Sequence, residues 1–174
     1  CALPISAYFD FIEGEAEAIL AVDPKAMAKV VEGSCRIKSS VVAADEREIS
    51  GIRALLNFGH TIGHAVETNF GYGVLCHGEA IAIGMEAAGR IALRRGLWTA
   101  KDHGRLSALL QRCGLPTRLP ANADLDAILA TMKLDKKVRD GRIRFVLPTR
   151  IGEVRLVDDV TADEVRAVCE EISI

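Results

Sequence analysis

Apolar residues recur at three- and four-residue spacing over most of the chain, which keeps them on one side of an α-helix. Residues 7–22 form the first such segment and are predicted to be helical. Asp23-Pro24 then marks a helix start, because proline fits a first helical turn, and the next helix is expected to run from residue 25 past residue 45. Its inward face is predicted to contain Met27, Val30, Val31, Ile37, Val41 and Val42.

The middle of the chain predicts two further helices separated by the loop Gly71-Tyr72-Gly73. The first covers 52–69 and is expected to be interrupted or tightened near Gly59, since glycine weakens a helix. The second begins at His77 or Gly78 and runs to about residue 95, closed by Gly96. Its many alanines and glycines let neighbouring helices approach closely, so we expect this helix to be central and buried.

The last third of the chain predicts helices at 99–113 and 124–134, and a final helix to about residue 172. A capping-box pattern, Thr161 to Glu164, opens the final helix. Alternating apolar residues on both sides of a turn at 148–152 predict a β-hairpin within 142–158. The fold class is therefore mainly α, one multi-helix domain with one small β-hairpin.

Composition excludes several classes of function. The 174 residues carry a net charge of −2 with both signs interspersed and 5% aromatics, which does not favour nucleic-acid binding. No apolar stretch reaches the roughly 18 residues of a membrane span, and the start shows no secretory leader. The five cysteines form no CxxC pair, so they are interpreted as small apolar residues of a protein in a reducing cytoplasm. We expect a cytoplasmic protein.

Three of the four histidines, His60, His64 and His77, lie within eighteen residues of one another. His60 and His64 share a face of one predicted helix, and His77 opens the next, so a loop could bring all three to one metal ion. Spacing alone favours exposed or structural histidines, which are the more frequent explanation of such a pair. Gly59 and Gly63 flank the pair, which indicates close approach of a ligand or of another helix to the backbone.

Polar side chains extend this histidine pair along the predicted helix 52–69. Arg53, Asn57, His60 and His64 are predicted to form one stripe, with Lys38 and Lys136 as further cations. A guanidinium, an amide and imidazoles in line could bind an anionic, hydroxylated substrate beside a metal ion. A solvated helix face is the alternative.

Several long segments resemble the signature of 3-dehydroquinate synthases. They are DERE at 45–48, RALLNFGHTIGHAVE at 53–67, HGEAIAIGM at 77–85, Asp-Lys-Lys at 135–137, and the hairpin at 143–152. The resemblance spans about residues 8–172. It implies that residues 1–174 form the C-terminal, metal- and substrate-binding helical domain of the dehydroquinate synthase-like fold. The family's N-terminal, NAD-binding domain is expected to be absent from this chain.

The resemblance also implies a reaction. The family converts 3-deoxy-D-arabino-heptulosonate 7-phosphate to 3-dehydroquinate and phosphate, a lyase step of the shikimate pathway that leads to chorismate and the aromatic amino acids. It uses NAD+ catalytically and one divalent metal, usually zinc, with cobalt possible. The intact enzyme is expected to be a homodimer, with its active site between the two domains.

The resemblance also implies roles for those residues of this chain that match the family's motifs. His60 and His77 match metal ligands, and His64 matches the catalytic histidine. Lys38 and Glu48 are further candidate catalytic residues, although the loop 49–52 is one residue longer than in many relatives. Arg53, Asn57 and Lys136 match substrate-binding positions.

The family's third metal ligand, a glutamate, and a lysine of the same motif have no counterpart near the start of this chain. No GxGxxG-type dinucleotide loop occurs either. We therefore expect weakened zinc binding and no turnover by this chain alone. Two alternatives remain: a related sugar-phosphate cyclase, such as a 2-deoxy-scyllo-inosose synthase or a sedoheptulose 7-phosphate cyclase, or a non-catalytic remnant that binds metal or a partner.

Overall fold

The computed structural model describes residues 5–47, 52–71, 74–134, 138–139 and 142–174. Its helices are α1 (Ile5–Gly14), α2 (Ala16–Leu20), α3 (Pro24–Ala44), a 3-10 helix (Ile52–Asn57), α4 (His60–Phe70), α5 (His77–Arg94), α6 (Ala100–Arg112), α7 (Leu125–Leu134) and α8 (Ala162–Glu171). Its strands are β1 (Val138–Arg139), β2 (Arg142–Ile143), β3 (Phe145–Arg150) and β4 (Glu153–Val157). The mainly α class predicted from the sequence is confirmed.

The N-terminal helices differ from the prediction in two ways, one of which is that α3 ends at Ala44 and does not continue past residue 45. The helix expected at 7–22 is two helices, α1 and α2, separated by a turn at Glu15. The start of α3 is as predicted, since the Asp23 carboxylate accepts the backbone N–H groups of Lys25 and Ala26 at 3.0 and 2.9 Å.

The inward face expected for α3 is only partly correct. Ala26 is its one buried residue, and Val31 is 57% exposed. The reason is that, among the described elements, α3 packs mainly against α1, α2 and the 3-10 helix. The apolar spacing selects a side of a helix, but the number of neighbouring elements decides how much of that side is covered.

The helix expected at 52–69 is wrong as a single element. A 3-10 helix ends at Asn57, and Gly59 adopts a left-handed backbone conformation with φ of 80°. The Gly59 carbonyl then accepts the backbone N–H of Gly63 at 2.9 Å and starts α4. The interruption expected near Gly59 is confirmed, because only glycine adopts this conformation without strain.

The α4–α5 pair forms the centre of the molecule. Eleven residues of α5 are buried, which confirms the central position predicted for it. A Cβ atom added at Gly84 of α5 would lie 2.0 Å from the Gly59 carbonyl oxygen, and one at Gly63 would lie 2.9 Å from the Ala80 oxygen. The two helices therefore meet backbone to backbone, so helix packing accounts for both glycines that flank the histidine pair.

The C-terminal third follows the prediction closely for its helices. Both α6 and α7 form where expected, and the Thr161–Glu164 capping box opens α8 with reciprocal bonds of 3.2 and 2.8 Å. The hairpin is β3 paired antiparallel with β4, but its turn is confined to Ile151-Gly152, because Pro148 pairs with Val154 within the ladder.

A second short antiparallel pair, β1 with β2, adds to the single predicted hairpin. The core side of β3 carries Phe145 and Leu147, which are 1% and 0% exposed and join the cluster around α5. Within the described part of the chain, no helix is long and apolar enough to span a bilayer.

Candidate metal centre

His60 and His64 of α4 and His77 of α5 converge at one point of the surface. Their ligand nitrogens all lie within 4.8 Å of one another. The ring centroids are 5.2 Å apart for His60 and His64, 5.7 Å for His60 and His77, and 5.6 Å for His64 and His77. Three imidazoles at this spacing can serve one divalent ion, and imidazole nitrogen is a preferred zinc ligand.

The close packing of α4 on α5 explains why these rings meet. His60 is the first residue of α4, directly after Gly59, and His77 is the first residue of α5. The contacts of Gly59 and Gly63 with α5 fix the spacing of the two helix starts. The carboxylate of Glu79 accepts the Cys76 backbone N–H at 2.6 Å and defines where α5 begins.

The hydrogen bonds of two rings identify the nitrogen that each presents to a metal. His60 Nδ1 lies 3.1 Å from the Phe58 carbonyl oxygen, and His77 Nδ1 lies 3.0 Å from Glu67 Oε2. Carbonyl and carboxylate oxygens accept, so Nδ1 donates in both bonds, and in the neutral ring Nε2 keeps its lone pair. Metal-bound histidine typically donates its other ring N–H to a carbonyl or carboxylate oxygen in this way, and the donor set fits a zinc-type ion.

The cluster is open on one side. The side chain of His77 is 55% exposed and that of Glu67 27% exposed, whereas His60 and His64 are half-buried. A further ligand or a substrate can therefore approach from the side of His77.

The substrate-binding residues predicted from the sequence are distributed differently from the expected stripe. Arg53 and Asn57 lie half-buried on the 3-10 helix, not on α4. A 3-10 helix has three residues per turn, so Arg53 and Asn57, four positions apart, point about 120° away from each other. Gly59 then interrupts the helix before His60 with its left-handed backbone conformation. The continuous helical stripe from Arg53 to His64 is therefore wrong, although all four residues belong to adjacent elements.

Asp45 connects two of these elements. Its carboxylate, 6% exposed, accepts the backbone N–H of Arg53 at 3.3 Å and so joins the end of α3 to the 3-10 helix. Lys38 lies exposed on α3, seven residues before Asp45. The remaining two predicted site residues, Glu48 and Lys136, lie outside the described residues.

Two carboxylates that are prominent in the structure, those of Glu67 and Glu86, have no role predicted from the sequence. Glu67 was detectable, because it follows His64 by three residues and His60 by seven and so shares their helix face. Glu86 had no such signal. It is 1% exposed and contacts Arg90 and His103, at 2.8 and 3.3 Å. Burial raises its pKa, but the charges and hydrogen bonds of His103 and Arg90 outweigh burial and lower the pKa below the usual range.

Solved structures share this fold, and two examples show how closely. A 2-epi-5-epi-valiolone synthase from Streptomyces hygroscopicus, with NAD+ and Zn2+ bound, superposes with a TM-score of 0.81 at 28% identity, over 94% of this chain and 45% of that one. A 2-deoxy-scyllo-inosose synthase complexed with carbaglucose-6-phosphate, NAD+ and Co2+ gives 0.70 at 28% identity, over 85% and 41%. The fold is therefore that of the dehydroquinate synthase-like proteins.

Sequence comparison gives the family. Residues 3–138 match the family 3-dehydroquinate synthase C-terminal. The chain is 50% identical to the 3-dehydroquinate synthase of Nostoc punctiforme over 86% of its length, and 45% identical to that of Prochlorococcus marinus over 97%. The chain belongs to the 3-dehydroquinate synthase family. It spans less than half the length of these relatives, 41% and 45% respectively.

Proposed function

We propose that this chain is the metal- and substrate-binding part of a 3-dehydroquinate synthase, which converts 3-deoxy-D-arabino-heptulosonate 7-phosphate to 3-dehydroquinate and phosphate. The observation that carries the proposal is the cluster of His60, His64 and His77, whose ligand nitrogens lie within 4.8 Å. Relatives called 3-dehydroquinate synthase, at 45–53% identity, support this substrate. The cytoplasmic location and the homodimer of the intact enzyme belong to the same proposal.

His60 and His77 are the proposed metal ligands, because both carry their ring hydrogen on Nδ1 and offer Nε2. Zinc is the expected ion, with cobalt as a substitute, in line with the Zn2+ and Co2+ of the two similar structures. Such an ion supplies Lewis-acid polarisation of substrate oxygens. NAD+ is expected to bind mainly to the part of the enzyme that lies outside this chain.

The remaining roles are assigned to this chain's own side chains. His64, beside both proposed ligands, is positioned to take and return a proton next to the metal. Arg53 and Asn57, which lie on the 3-10 helix preceding α4, are proposed to bind the carboxylate and hydroxyls of the substrate. Lys38 and Lys136 are proposed to add positive charge for the phosphate, and Glu48 to hold the substrate or orient a lysine.

A second candidate function is cyclisation of a related sugar phosphate that lacks the carboxylate. The two similar structures are synthases of this kind, one of them complexed with carbaglucose-6-phosphate. Their identity to this chain is 28%, against 44–53% for 3-dehydroquinate synthases similar to this chain. We therefore propose the heptulosonate phosphate as the substrate in preference to a sugar phosphate without a carboxylate.

Binding and turnover by the zinc-loaded chain test these proposals. Calorimetry should show tighter binding of the heptulosonate phosphate than of sedoheptulose 7-phosphate or carbaglucose-6-phosphate, since only the first carries a carboxylate for Arg53. Equal or reversed affinities would favour the second candidate, and no binding of any would favour a non-catalytic remnant.

Turnover is expected to be absent from the chain alone. With NAD+, zinc and the heptulosonate phosphate, no phosphate should be released, because the chain spans less than half of its relatives. NAD+-dependent release of phosphate would contradict this expectation.

A further inference from the structure

We propose that Glu67 is a positioning residue that holds the His77 ring in the tautomer and orientation needed for metal binding. This inference rests on the proposed function, since it concerns how the same metal centre is assembled. Glu67 acts through His77 and is not itself assigned as a ligand.

The contact between Glu67 and His77 joins the two helices that carry the histidines. Glu67 lies on the last turns of α4 and its Oε2 is 3.0 Å from Nδ1 of His77, the first residue of α5. The bond requires a hydrogen on Nδ1, because a carboxylate oxygen accepts. It therefore leaves the lone pair on Nε2, the nitrogen available to a metal.

His77 needs such a partner more than His60 does. The His60 ring is half-buried and its Nδ1 is bonded to the backbone carbonyl of Phe58, which cannot rotate away. The His77 side chain is 55% exposed, so packing restrains its ring weakly. Without Glu67, neutral His77 could place its hydrogen on either nitrogen and turn freely at the helix start.

Glu67 also lies outside the donor group. Among the described residues, the only set of at least three His, Cys, Asp or Glu side chains close enough to hold one ion is His60, His64 and His77. A carboxylate that contacts the far nitrogen of a ligand ring, without joining the ligand group, is the arrangement that orients histidine in metal proteins. Removing such a partner typically weakens metal binding by about 10- to 100-fold.

The test compares Glu67→Ala with wild type in two measurements. In the metal-free chain, 15N NMR at a pH well above the ordinary histidine pKa of about 6.5 reports which ring nitrogen of His77 carries the hydrogen, with signals assigned by a His77→Gln variant. Competition with a chelator gives the zinc Kd. We expect Glu67→Ala to lose the predominance of the Nδ1–H tautomer and to raise the zinc Kd by about 10- to 100-fold.

Two further variants separate position from charge. Glu67→Gln keeps an oxygen that can accept from Nδ1, so it should retain the tautomer and lose less affinity than Glu67→Ala. Glu79→Gln removes a negative charge from the first turn of α5 and can still accept the Cys76 N–H, so it should change the Kd by less than about twofold.

The proposal is overturned if the Glu67→Ala ring keeps its tautomer, whatever the Kd does. A weaker Kd with an unchanged tautomer would mean that Glu67 acts by charge or as a direct ligand. A changed tautomer with an unchanged Kd would also overturn it. If wild type bound no zinc, the proposed metal site would fail, while the spectra of the metal-free chain would still decide whether Glu67 fixes the ring.

Discussion

At the scale of single residues, the histidine cluster makes the most direct prediction. His60→Ala removes one of three nitrogens that lie within 4.8 Å of one another. We expect the zinc bound per folded molecule to fall by at least about tenfold under chelator competition, because a structural or catalytic zinc site depends on its few protein ligands. Metal content after gel filtration, by mass spectrometry, measures the effect.

The fourth histidine provides the control. His103 lies on α6 beside Glu86 and Trp98, away from the cluster. His103→Gln should leave zinc per folded molecule unchanged, although it disturbs a buried contact and circular dichroism must confirm folding. Unchanged zinc in His60→Ala, or an equal loss in both variants, would count against the ligand assignment.

At the scale of elements, the contact of α4 with α5 is the feature on which the site depends. A Cβ atom on Gly84 would lie 2.0 Å from the Gly59 carbonyl oxygen, so Gly84→Ala requires the two helices to separate. We expect the free energy of unfolding to fall by about 3 kcal/mol, as for overpacked cores. Urea denaturation measures the loss, and zinc affinity should fall with it because His77 moves away from α4.

A glycine on the same helix is the matched control for this change. Gly78 has no neighbouring atom within 4 Å of an added Cβ. Gly78→Ala should therefore be neutral or slightly stabilising, because alanine favours helix over glycine by up to about 1 kcal/mol. If both substitutions cost the same, close helix approach is not the reason for Gly84.

At the scale of the whole molecule, ion pairs link helices that are far apart in sequence. Arg95, at the end of α5, pairs with Glu164 of α8 at 2.7 Å and with Asp159 at 2.5 Å. Arg105 of α6 likewise pairs with Asp10 and Glu13 of α1. These contacts link segments far apart in sequence around the central helix.

The Arg95–Glu164 pair predicts a pH dependence of stability. Hydrogen bonding to Arg95 lowers the pKa of Glu164 from 4.5 to about 2. A lowered folded-state pKa stabilises the fold above pH 4.5, and this contribution is lost as the pH falls toward 2. Glu164→Gln, which preserves the capping box, should cost about 1 kcal/mol at neutral pH, and the difference from wild type should shrink between pH 4.5 and 2.

Thermal unfolding across this pH range measures the difference. Glu170→Gln, an exposed carboxylate on the same helix, should change stability by less than about 0.5 kcal/mol. A wild-type advantage over Glu164→Gln that grew on acidification would have the wrong sign for this mechanism.

The fold could be predicted best where its signals are local. Asp23 with Pro24 starts α3, and Thr161 with Glu164 starts α8, because capping bonds form between residues within one turn. The break near Gly59 was also visible in the sequence. The left-handed backbone conformation of Gly59 and the 3-10 helix before it were not. Those follow from how closely Gly84 of α5 approaches, a contact between residues 25 positions apart.

The sequence by itself determined most of the helices, the mainly α class and the chemical types at the site, because periodicity, caps and imidazoles are local properties of the chain. Only the tertiary structure decided that His77 meets His60 and His64, that Glu67 contacts His77, and that Glu86 is buried against His103. The physical reason is that helix spacing and burial arise from packing between segments distant in sequence, which no local pattern specifies.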